Sequence, residues 1–478
     1  MFSMNNTHLT KITLAGGGLV GSLLALVLAK KGYQVDVFES RPDLRKVDIS
    51  AGKSINLALA NRGIKPLNDL GLMSDIKKML IPMCGRMVHI DGQTANLQPY
   101  GQQKHEVIYS ISRGELNGYL ITQAELTGKV NFYFEHKLTD VNFDHNQLTL
   151  IHKGEELTHH FDHLIGTDGA NSQVRKAILA QSEALANYQH DEQLLNHSYK
   201  ELVIKANANG KHKIDKNALH IWPRGNFMII ALPNLDGSFT VTLFLPANGL
   251  ATQKETKGSD NKNISFSQLL NTDQINAFFD ENFNDLKPLI DNLEDDFLTN
   301  PIGRLATIKC APWSYQDKAL ILGDAAHAVV PFHGQGMNCG FEDCDLINQL
   351  LPDADNLADN LSKNFDWQQF FQTVETERKV NSDAIADMAI ENYIEMRNSV
   401  MQADYLLKKQ CAFKIQQWFP RRFTPRYAMV MFEHRPYREA FELGEIHQQM
   451  LNELCENIDN VEQLTKATVE QLLAKYEL

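Results

Sequence analysis

A glycine-rich turn between a strand and a helix, near the start of the chain, constrains the fold more than any other feature. Residues 11–15 (KITLA) form a predicted buried strand, and Gly16, Gly18 and Gly21 follow in a G-x-G-x-x-G pattern before a Leu- and Ala-rich helix. A second strand ends at Glu39. This order predicts a Rossmann-like unit that binds a dinucleotide, in which the glycines admit the pyrophosphate and the acid accepts hydrogen bonds from a ribose. The alternative is a glycine turn without a ligand.

Two further glycine–acid segments occur later in the sequence. Asp324 follows an apolar strand and Gly323, a position from which it could accept a hydrogen bond from a second sugar-like chain or cap the following helix. A glycine-rich turn at 331–338 (PFHGQGMN) leads into another helix, whose free N–H groups could stabilise negative charge on a ring system. The other glycine–acid segment, 166–172 (GTDGANS), is by itself only a turn that contains Asp168.

Charge and cysteine content narrow the class of partner and the compartment. The 478 residues carry a formal net charge of −13, which argues against general affinity for nucleic acid or an anionic membrane. An anionic substrate therefore needs a local Arg or Lys. The six cysteines form no C-x-x-C pair. Cys339 and Cys344 are five residues apart, which puts them on different faces of a helix and argues against a redox pair. With a polar N-terminus and no spanning run, we expect a cytoplasmic protein without a membrane segment.

The distribution of strand and helix patterns predicts an α/β fold. Strand-prone runs with turn residues between them dominate 198–246, and the chain is almost entirely helical in pattern from Asp345 onward. We predict a Rossmann-like cofactor domain at 1–195 and 301–350, with interleaved strands of the substrate domain near 85–110, a β-sheet substrate domain at 196–300, and a helical C-terminal region at 351–478 that closes the substrate pocket.

The three glycine motifs, in this order and at these separations, resemble the flavin-dependent aromatic hydroxylases. The resemblance implies that FAD is bound in an extended pose and that O₂ is a co-substrate. Only one G-x-G-x-x-G is present, so NADPH would dock transiently as the reductant. The residues that the resemblance assigns to the cofactor are Gly16, Gly18, Val20, Gly21, Glu39, Arg41, Ala58, Arg113, Leu138, Asp168, Asp324, Gly336, Met337 and Asn338.

Longer segments narrow the resemblance to the members of that family that act on kynurenine. These segments are 53–60 (KSINLALA), 85–87 (GRM), 331–343 (PFHGQGMNCGFED), 384–389 (AIADMA) and 392–397 (NYIEMR). The resemblance covers about residues 11–440. It implies hydroxylation of L-kynurenine at ring position 3, giving 3-hydroxykynurenine, through a C4a-hydroperoxide of the flavin.

The same resemblance assigns the substrate pocket, with no side-chain acid or base and no metal. It places Phe332 and His333 beside the substrate ring, although His333 replaces an aromatic residue of some members. The residues that it assigns to the substrate are Arg86, Tyr100, Asn392, Tyr427, Glu395, Met396, Leu219, Met228, Ile230, Leu232 and Phe244.

Residue chemistry supports these assignments without making them unique. An Arg fork pairs with a carboxylate, and Tyr and Asn add neutral donors. Taken alone, Arg86 would be a surface ion pair, and the alternating Met228, Ile230 and Leu232 would be ordinary sheet core. Two alternatives stay open, namely an aromatic hydroxylase that acts on a phenolic acid, and a non-catalytic flavin-binding protein whose C-terminal helices contact a partner.

Overall fold

The computed structural model of the protein describes residues 11–47, 56–183, 188–248, 264–354 and 365–478; the N-terminal residues 1–10 and residues 53–55 of the segment 53–60 lie outside it. The strands are β1 (Lys11–Ala15), β2 (Gln34–Glu39), β3 (Asn56–Leu59), β4 (Ile81–Met83), β5 (Gly85–Val88), β6 (Asn96–Pro99), β7 (Ile108–Ser112), β8 (Val130–Phe134), β9 (His136–Asn142), β10 (Gln147–His152), β11 (Glu155–His160), β12 (His163–Gly166), β13 (Gln189–Ile204), β14 (Leu219–Pro223), β15 (Met228–Pro233), β16 (Phe239–Pro246), β17 (Gly303–Ala311), β18 (Ser314–Tyr315) and β19 (Ala319–Ile321). The α-helices are α1 (Leu19–Lys30), α2 (Asn61–Asp69), α3 (Met73–Ile76), α4 (Arg113–Glu125), α5 (Gln173–Ala180), α6 (Thr272–Asn282), α7 (Leu293–Thr299), α8 (Asp324–His327), α9 (Gly336–Leu350), α10 (Trp367–Arg397), α11 (Ala403–Trp418), α12 (Arg426–Met431), α13 (Tyr437–Cys455) and α14 (Lys466–Lys475).

A six-stranded sheet positions the glycine-rich turn, which follows the carboxyl end of its central strand β1. Its order is β18-β19-β12-β1-β2-β8, and all its pairs are parallel except β18 with β19. Ala15 pairs with Gly166 and Gly166 pairs with Ile321, so three strands end side by side. The three glycine motifs follow these ends, at the carboxyl edge where doubly wound sheets bind ligands. The predicted Rossmann-like fold is confirmed.

Helix α1 is apolar all round because it is covered on every side. It packs against the sheet and contacts α4 and α9, and its residues from Gly21 to Ala29 are all buried. A helix with no polar face requires such an environment. It begins at Leu19, within the G-x-G-x-x-G pattern, and Gly18 is its N-cap residue.

A seven-stranded sheet forms the substrate domain and separates two apolar layers. Its order is β17-β13-β16-β15-β14-β5-β6, antiparallel except for the parallel pair β14 and β5. On β15, Ile229 and Ala231 face a core that includes residues of α6 and α7. Met228, Ile230 and Leu232 point to the opposite face, as strand alternation requires.

The bounds of this sheet differ from the predicted domain bounds. Strand β13 begins at Gln189; its first part, residues 189–199, pairs with β17, and its last part, residues 197–204, pairs with β16. Consequently β17, which the prediction gave to the second cofactor segment 301–350, is an edge strand of the substrate sheet. Alternation in a single strand does not specify its partner, so the sequence pattern could not place this boundary. Two three-stranded sheets, β11-β10-β9 and β3-β7-β4, complete the described strands.

Helices make up most of the C-terminal region, as predicted. The longest, α10, runs for 31 residues and brings its buried face against the substrate sheet and α13. Among the described helices, none combines the length and the apolar content needed to cross a membrane. The short helix α12 contacts α13 and carries Tyr427.

Candidate active site

The glycines of the first turn have different structural roles. Gly16 has φ of +102°, and a Cβ there would lie 2.4 Å from the carbonyl oxygen of Thr167. A Cβ on Gly21 would lie 2.0 Å from the carbonyl oxygen of Gly16. At Gly18, by contrast, the nearest atom is Nη2 of Arg41 at 3.9 Å. The fold itself therefore needs Gly16 and Gly21, whereas Gly18 leaves an open surface at the start of α1.

Glu39 lies at the end of β2 as a buried, ionised acceptor. Its carboxylate accepts hydrogen bonds from the Gly17 N–H at 2.9 Å and from the backbone N–H and Nε of Arg41, each at 2.8 Å. Burial favours the neutral acid, but the hydrogen bonds and charge of Arg41 outweigh it, and the pKa of Glu39 is lowered. The predicted pair Glu39 and Arg41 thus stands together beside the glycine turn.

The other two glycine motifs meet this turn. Thr167 donates to the carbonyl oxygens of Ala15 and Gly16 from Oγ1, at 3.1 and 2.8 Å. Val20 fills the space that side chains would need at Gly323 and Gly340. The exposed Asp324 follows Gly323, whose φ is +57°.

The Asp168 carboxylate lies at the N-terminus of α5, four residues before its N-cap residue, Ser172. Its Oδ2 accepts from the backbone N–H groups of Gln173 and Val174, at 2.7 and 3.3 Å. Burial raises the pKa of this carboxyl, and these hydrogen bonds oppose the shift. Its side chain therefore has a structural role at the N-terminus of α5, next to the first turn.

The loop 334–338 is attached to strand β3 by Asn338. The Asn338 side chain accepts from the Ala60 N–H at 2.9 Å and donates to the carbonyl oxygens of Ala58 and Gly334 at 2.9 and 2.8 Å. Since these three bonds occupy the side-chain amide of Asn338, a hydrogen bond to a cofactor would have to come from the backbone of this residue. Gly336 and Met337 open α9 in the same loop.

The two remaining predicted cofactor residues lie on α4 and β9, between the first glycine turn and Asp168 in sequence. Arg113 is exposed at the start of α4. Burial raises the pKa of Glu201 to about 7, and the nearby charge of Arg113 opposes that shift. Leu138 lies half-buried on β9 and packs against the main core, opposite Leu150.

A buried ionic cluster fixes the Gly323–Asp324 loop through a hydrogen bond to the Gly323 N–H. Asp343 accepts from the Gly323 N–H at 2.9 Å, from Nε of Arg378 at 2.7 Å, and bonds Nε2 of His327 at 2.7 Å. Burial opposes ionisation, but His327 and Arg378 lower the pKa of Asp343 to about 2. Nη2 of Arg378 also donates to Sγ of Cys339 at 3.3 Å. The Asp343 carboxylate and the Cys339 sulfur are thus both hydrogen-bonded to the guanidinium of Arg378.

The residues at the carboxyl edge fit FAD. Helix α1 has no acidic residue in its first turn, so the positive end of its dipole is available to a pyrophosphate near Gly18. Glu39 is an ionised carboxylate that would accept hydrogen bonds from ribose hydroxyls, and Asp324 is an exposed carboxylate beside the third strand end. The chemistry of this donor and acceptor set matches the two sugar-like chains and the phosphates of that cofactor.

Arg86 on β5 is the buried cation of the second part of the site. Its side chain is 4% exposed, with Nη1 2.5 Å from Oε1 of Glu395 and Nη2 3.0 Å from Oδ1 of Asn392. Its Nε has no hydrogen-bond partner among the described residues. Asn392 also donates to the carbonyl oxygen of Phe332 at 2.7 Å. The structure therefore brings together these predicted residues from β5, α10 and the 331–333 turn.

Three rings stack beside this cation. Tyr427 lies between Tyr100, at 5.2 Å between ring centroids, and His333, at 5.6 Å, with all three rings nearly parallel. The Arg86 guanidinium lies 5.2 Å from the centroid of Tyr427. Burial raises the pKa of Tyr100 to about 12, so its hydroxyl is a neutral donor at physiological pH.

His333 is a neutral imidazole in this site. Burial lowers its pKa to about 4, and the charge of Arg86 adds to the effect. Its Nδ1 has no hydrogen-bond partner among the described residues.

The apolar residues predicted to line the pocket lie on the sheet face that meets α10. Phe332 stacks on Tyr393 with ring centroids 3.8 Å apart and contacts Phe244 at 4.8 Å. The remaining members of the predicted lining, which belong to the same two adjoining clusters, are Leu219, Met228, Ile230, Leu232 and Met396.

Sequence reasoning missed two polar residues of α11 that reach the Arg86 cluster. The Tyr405 hydroxyl donates to Oε1 of Glu395 at 2.9 Å. Lys409 lies one helical turn later on the same face. Burial lowers the pKa of Lys409 to about 8, the charge of Arg86 adds to that shift and the charge of Glu395 opposes it. A Tyr and a Lys four residues apart occur in many helices, so no signal in the sequence marked them.

The site combines a glycine turn of the dinucleotide-binding type, which two further loops contact, with a buried cation and an apolar wall. This combination is typical of flavoproteins of the aromatic hydroxylase class. The FAD binding domain family matches residues 9–217 and 290–353, more than half of the chain. The solved structure of 2-methyl-3-hydroxypyridine-5-carboxylic acid oxygenase superposes with a TM-score of 0.61 at 19% identity, covering 84% of this chain and 96% of its own, a likeness of fold alone.

Sequence relatives narrow the class. A kynurenine 3-monooxygenase of Myxococcus xanthus is 41% identical over 98% of this chain and 96% of its own length. One of Flavobacterium psychrophilum is 43% identical over 95% of each chain. The chain belongs to the kynurenine 3-monooxygenase family, and the predicted resemblance is confirmed.

Proposed function

We propose that this protein is an FAD-dependent monooxygenase that hydroxylates L-kynurenine at ring position 3, with NADPH and O₂ as co-substrates. One oxygen atom enters the ring and the other leaves as water, with NADPH supplying the two electrons. The observation that carries the substrate assignment is the buried guanidinium of Arg86, whose Nε–H has no acceptor among the described residues. A buried donor without a partner is costly, and a substrate carboxylate would satisfy it.

Opposite charges lie side by side where an amino acid would bind. Arg86, with the hydroxyls of Tyr100 and Tyr427 nearby, suits the α-carboxylate. Burial opposes ionisation of Glu395, but Arg86 and the Tyr405 hydroxyl outweigh it and lower its pKa. Glu395 is therefore an anion that suits the α-ammonium group. We assign zwitterion recognition to this pair.

FAD would be held by Gly18, the N-terminus of α1, Glu39, Arg41 and Asp324. When bound and reduced by NADPH, the flavin supplies the activated oxygen that reaches the ring.

Ring positioning and water exclusion are the tasks of the apolar face. Phe332 is buried between Phe244 and Tyr393, which leaves little room for it to shift. The ring carbon that accepts oxygen lies beside the aromatic amino group, which already enriches it in electrons, so no strong base is needed. Neutral His333, with an unpaired Nδ1, can accept a hydrogen bond from that amino group without adding charge. These residues act by orientation.

We also propose a cytoplasmic location. All six cysteines are free thiols, which suits a reducing compartment.

Product analysis tests the substrate assignment. Purified holoenzyme is incubated with NADPH, oxygen and either kynurenine or 4-hydroxybenzoate, and the products are identified by mass. We expect kynurenine to gain one oxygen atom and the phenol to be left unchanged. Oxygenation of the phenol alone would make the substrate assignment wrong, and absence of NADPH consumption with either compound would favour a non-catalytic flavin-binding protein.

A further inference from the structure

We propose that Arg62 is a positioning residue for the substrate pocket, because it holds the end of helix α12 and thereby sets the place of Tyr427. The inference rests on the proposed function, since it concerns the pocket that would receive kynurenine. Arg62 lies in the first turn of α2, in the FAD-binding part of the chain, and none of the sequence motifs includes it.

The guanidinium of Arg62 caps the C-terminal end of α12. Its side chain is 1% exposed, with Nε donating to the carbonyl oxygen of Val430 at 2.8 Å and Nη2 to that of Met429 at 3.1 Å. Nη2 also donates to the carbonyl oxygen of Arg435. The last carbonyl groups of a helix have no intrahelical donor and carry the negative end of its dipole. A buried cation therefore compensates this helix end.

Asn61, the residue before Arg62, extends the same attachment. Its side-chain amide donates to the carbonyl oxygen of Phe432 at 2.7 Å. Two adjacent side chains of α2 thus bind four carbonyl groups between residues 429 and 435. A helix of six residues is too short to be stable alone, so its position depends on such contacts.

An ion network ties this attachment to the other walls of the site. Glu342 on α9 lies 2.9 Å from Nη1 of Arg62 and 3.2 Å from Nη1 of Arg378 on α10. The Arg62 guanidinium also lies 4.0 Å from the ring centroid of Tyr437. Helix α9 begins in the loop assigned to FAD, and α10 carries Asn392 and Glu395. The network therefore links the cofactor loop, the substrate-binding helix and α12.

Tyr427 transmits the position of α12 to the pocket. It lies two residues before Met429, and its ring stacks between Tyr100 and His333 and beside Arg86. A shift of α12 would separate Tyr427 from these rings and open the carboxylate end of the site to water. Arg62 acts on the substrate through Tyr427, at a distance, and makes no hydrogen bond to the first glycine turn within the described residues.

The test compares Arg62→Gln and Arg62→Lys holoenzymes with wild type. We expect KM for kynurenine to rise about tenfold or more in Arg62→Gln, because several charge-assisted hydrogen bonds are lost. A lysine ammonium cannot reproduce the planar fork, so Arg62→Lys should fall between the two. Hydrogen peroxide released per NADPH should increase in the same order, while FAD content per chain stays at the wild-type level. Hydrogen exchange of residues 426–432 should be faster.

Two further variants keep the test decisive. Asn61→Ala removes one bond from a less buried residue and should show the same changes at smaller size. Arg438→Gln is the matched control, since Arg438 is 57% exposed and pairs with Glu442 within α13. It should leave all readouts unchanged.

The outcomes separate the proposal from its alternatives. Unchanged KM, peroxide release and exchange in flavin-loaded Arg62→Gln would overturn it. Loss of FAD in Arg62→Gln together with an unaltered Asn61→Ala would overturn it too, since this would show general destabilisation. If wild type itself forms no hydroxylated kynurenine, the proposed function fails, whereas exchange over 426–432 still reports whether Arg62 holds α12.

Discussion

The substitution Arg86→Met tests how the site recognises a carboxylate. Methionine keeps an unbranched apolar stem in the space of the arginine and removes the charge and all donors. Nη1 and Nη2 of Arg86 are bonded to Glu395 and Asn392, whereas Nε has no partner among the described residues and is the donor that we assign to a ligand. One hydrogen bond from a charged donor contributes about 1.5–3 kcal/mol, which corresponds to roughly a ten- to hundredfold change in affinity. We expect the dissociation constant of kynurenine to rise by that factor.

A double comparison isolates the carboxylate. Binding of kynurenine and of its decarboxylated analogue is measured by the change in flavin absorbance, for wild type and Arg86→Met. Wild type should discriminate by about ten- to hundredfold, and the variant should bind the two compounds nearly equally, since the partner of the carboxylate is gone.

The orphaned acid needs a control. Without Arg86, the carboxylate of Glu395 would lose its cationic partner and keep the hydrogen bond from Tyr405, and its uncompensated charge would weaken binding for its own reasons. The double variant Arg86→Met with Glu395→Gln removes that charge and should retain the loss of discrimination. If Arg86→Met weakens both compounds by the same factor, the carboxylate does not bind Arg86 and the substrate pose is wrong.

Three further predictions follow from the geometry. Gly18→Val should fold with close to the wild-type melting temperature of the flavin-free protein, because the nearest atom to a Cβ there is Nη2 of Arg41 at 3.9 Å. It should retain no FAD, because its side chain would occupy the space of the pyrophosphate, and a yellow Gly18→Val protein would contradict this. Gly21→Ala should lose about 1–3 kcal/mol of folding stability from its clash with Gly16, measured by denaturant unfolding. KM for kynurenine should rise as pH passes about 8, because Lys409 then loses the charge that favours binding of a carboxylate. Lys409→Met should have a raised KM at pH 7 and no further rise above pH 8. A variant whose KM depends on pH as in wild type would exclude a role of Lys409 in binding. Because the pKa of His333 is about 4, His333→Asn should change peroxide release without shifting the pH dependence of turnover between pH 6 and 7.5; a shifted profile there would show that His333 titrates.

The cofactor half of the site was the more predictable part. Strands β1 and β2 are short apolar runs, and the glycines between them have local reasons, such as the positive φ of Gly16. Strands β9 and β11 are not marked in the sequence by a periodic apolar pattern, because their residues are largely polar and exposed. Strand β17 pairs with β13, which lies more than 100 residues earlier in the chain, so no local pattern shows which sheet it joins.

The substrate half depended on resemblance. A single arginine at position 86 has no local mark of burial, and its partners Asn392 and Glu395 lie some 300 residues away. The alternation of Met228, Ile230 and Leu232 predicted one shared face but not whether that face lines a pocket or a core. The helix end held by Arg62 was invisible for the same reason.

By itself the sequence determined the features that depend on neighbours along the chain, namely the glycine turn, the strand before it, the apolar helix after it and the acid at the end of the next strand. Only the tertiary structure decided which distant side chains share a buried volume, and hence that Arg86, Tyr427 and Lys409 surround one site. The physical reason is that backbone conformation is set by local sterics, whereas burial, ion pairing and the pKa values that they shift arise from contacts between segments far apart in sequence.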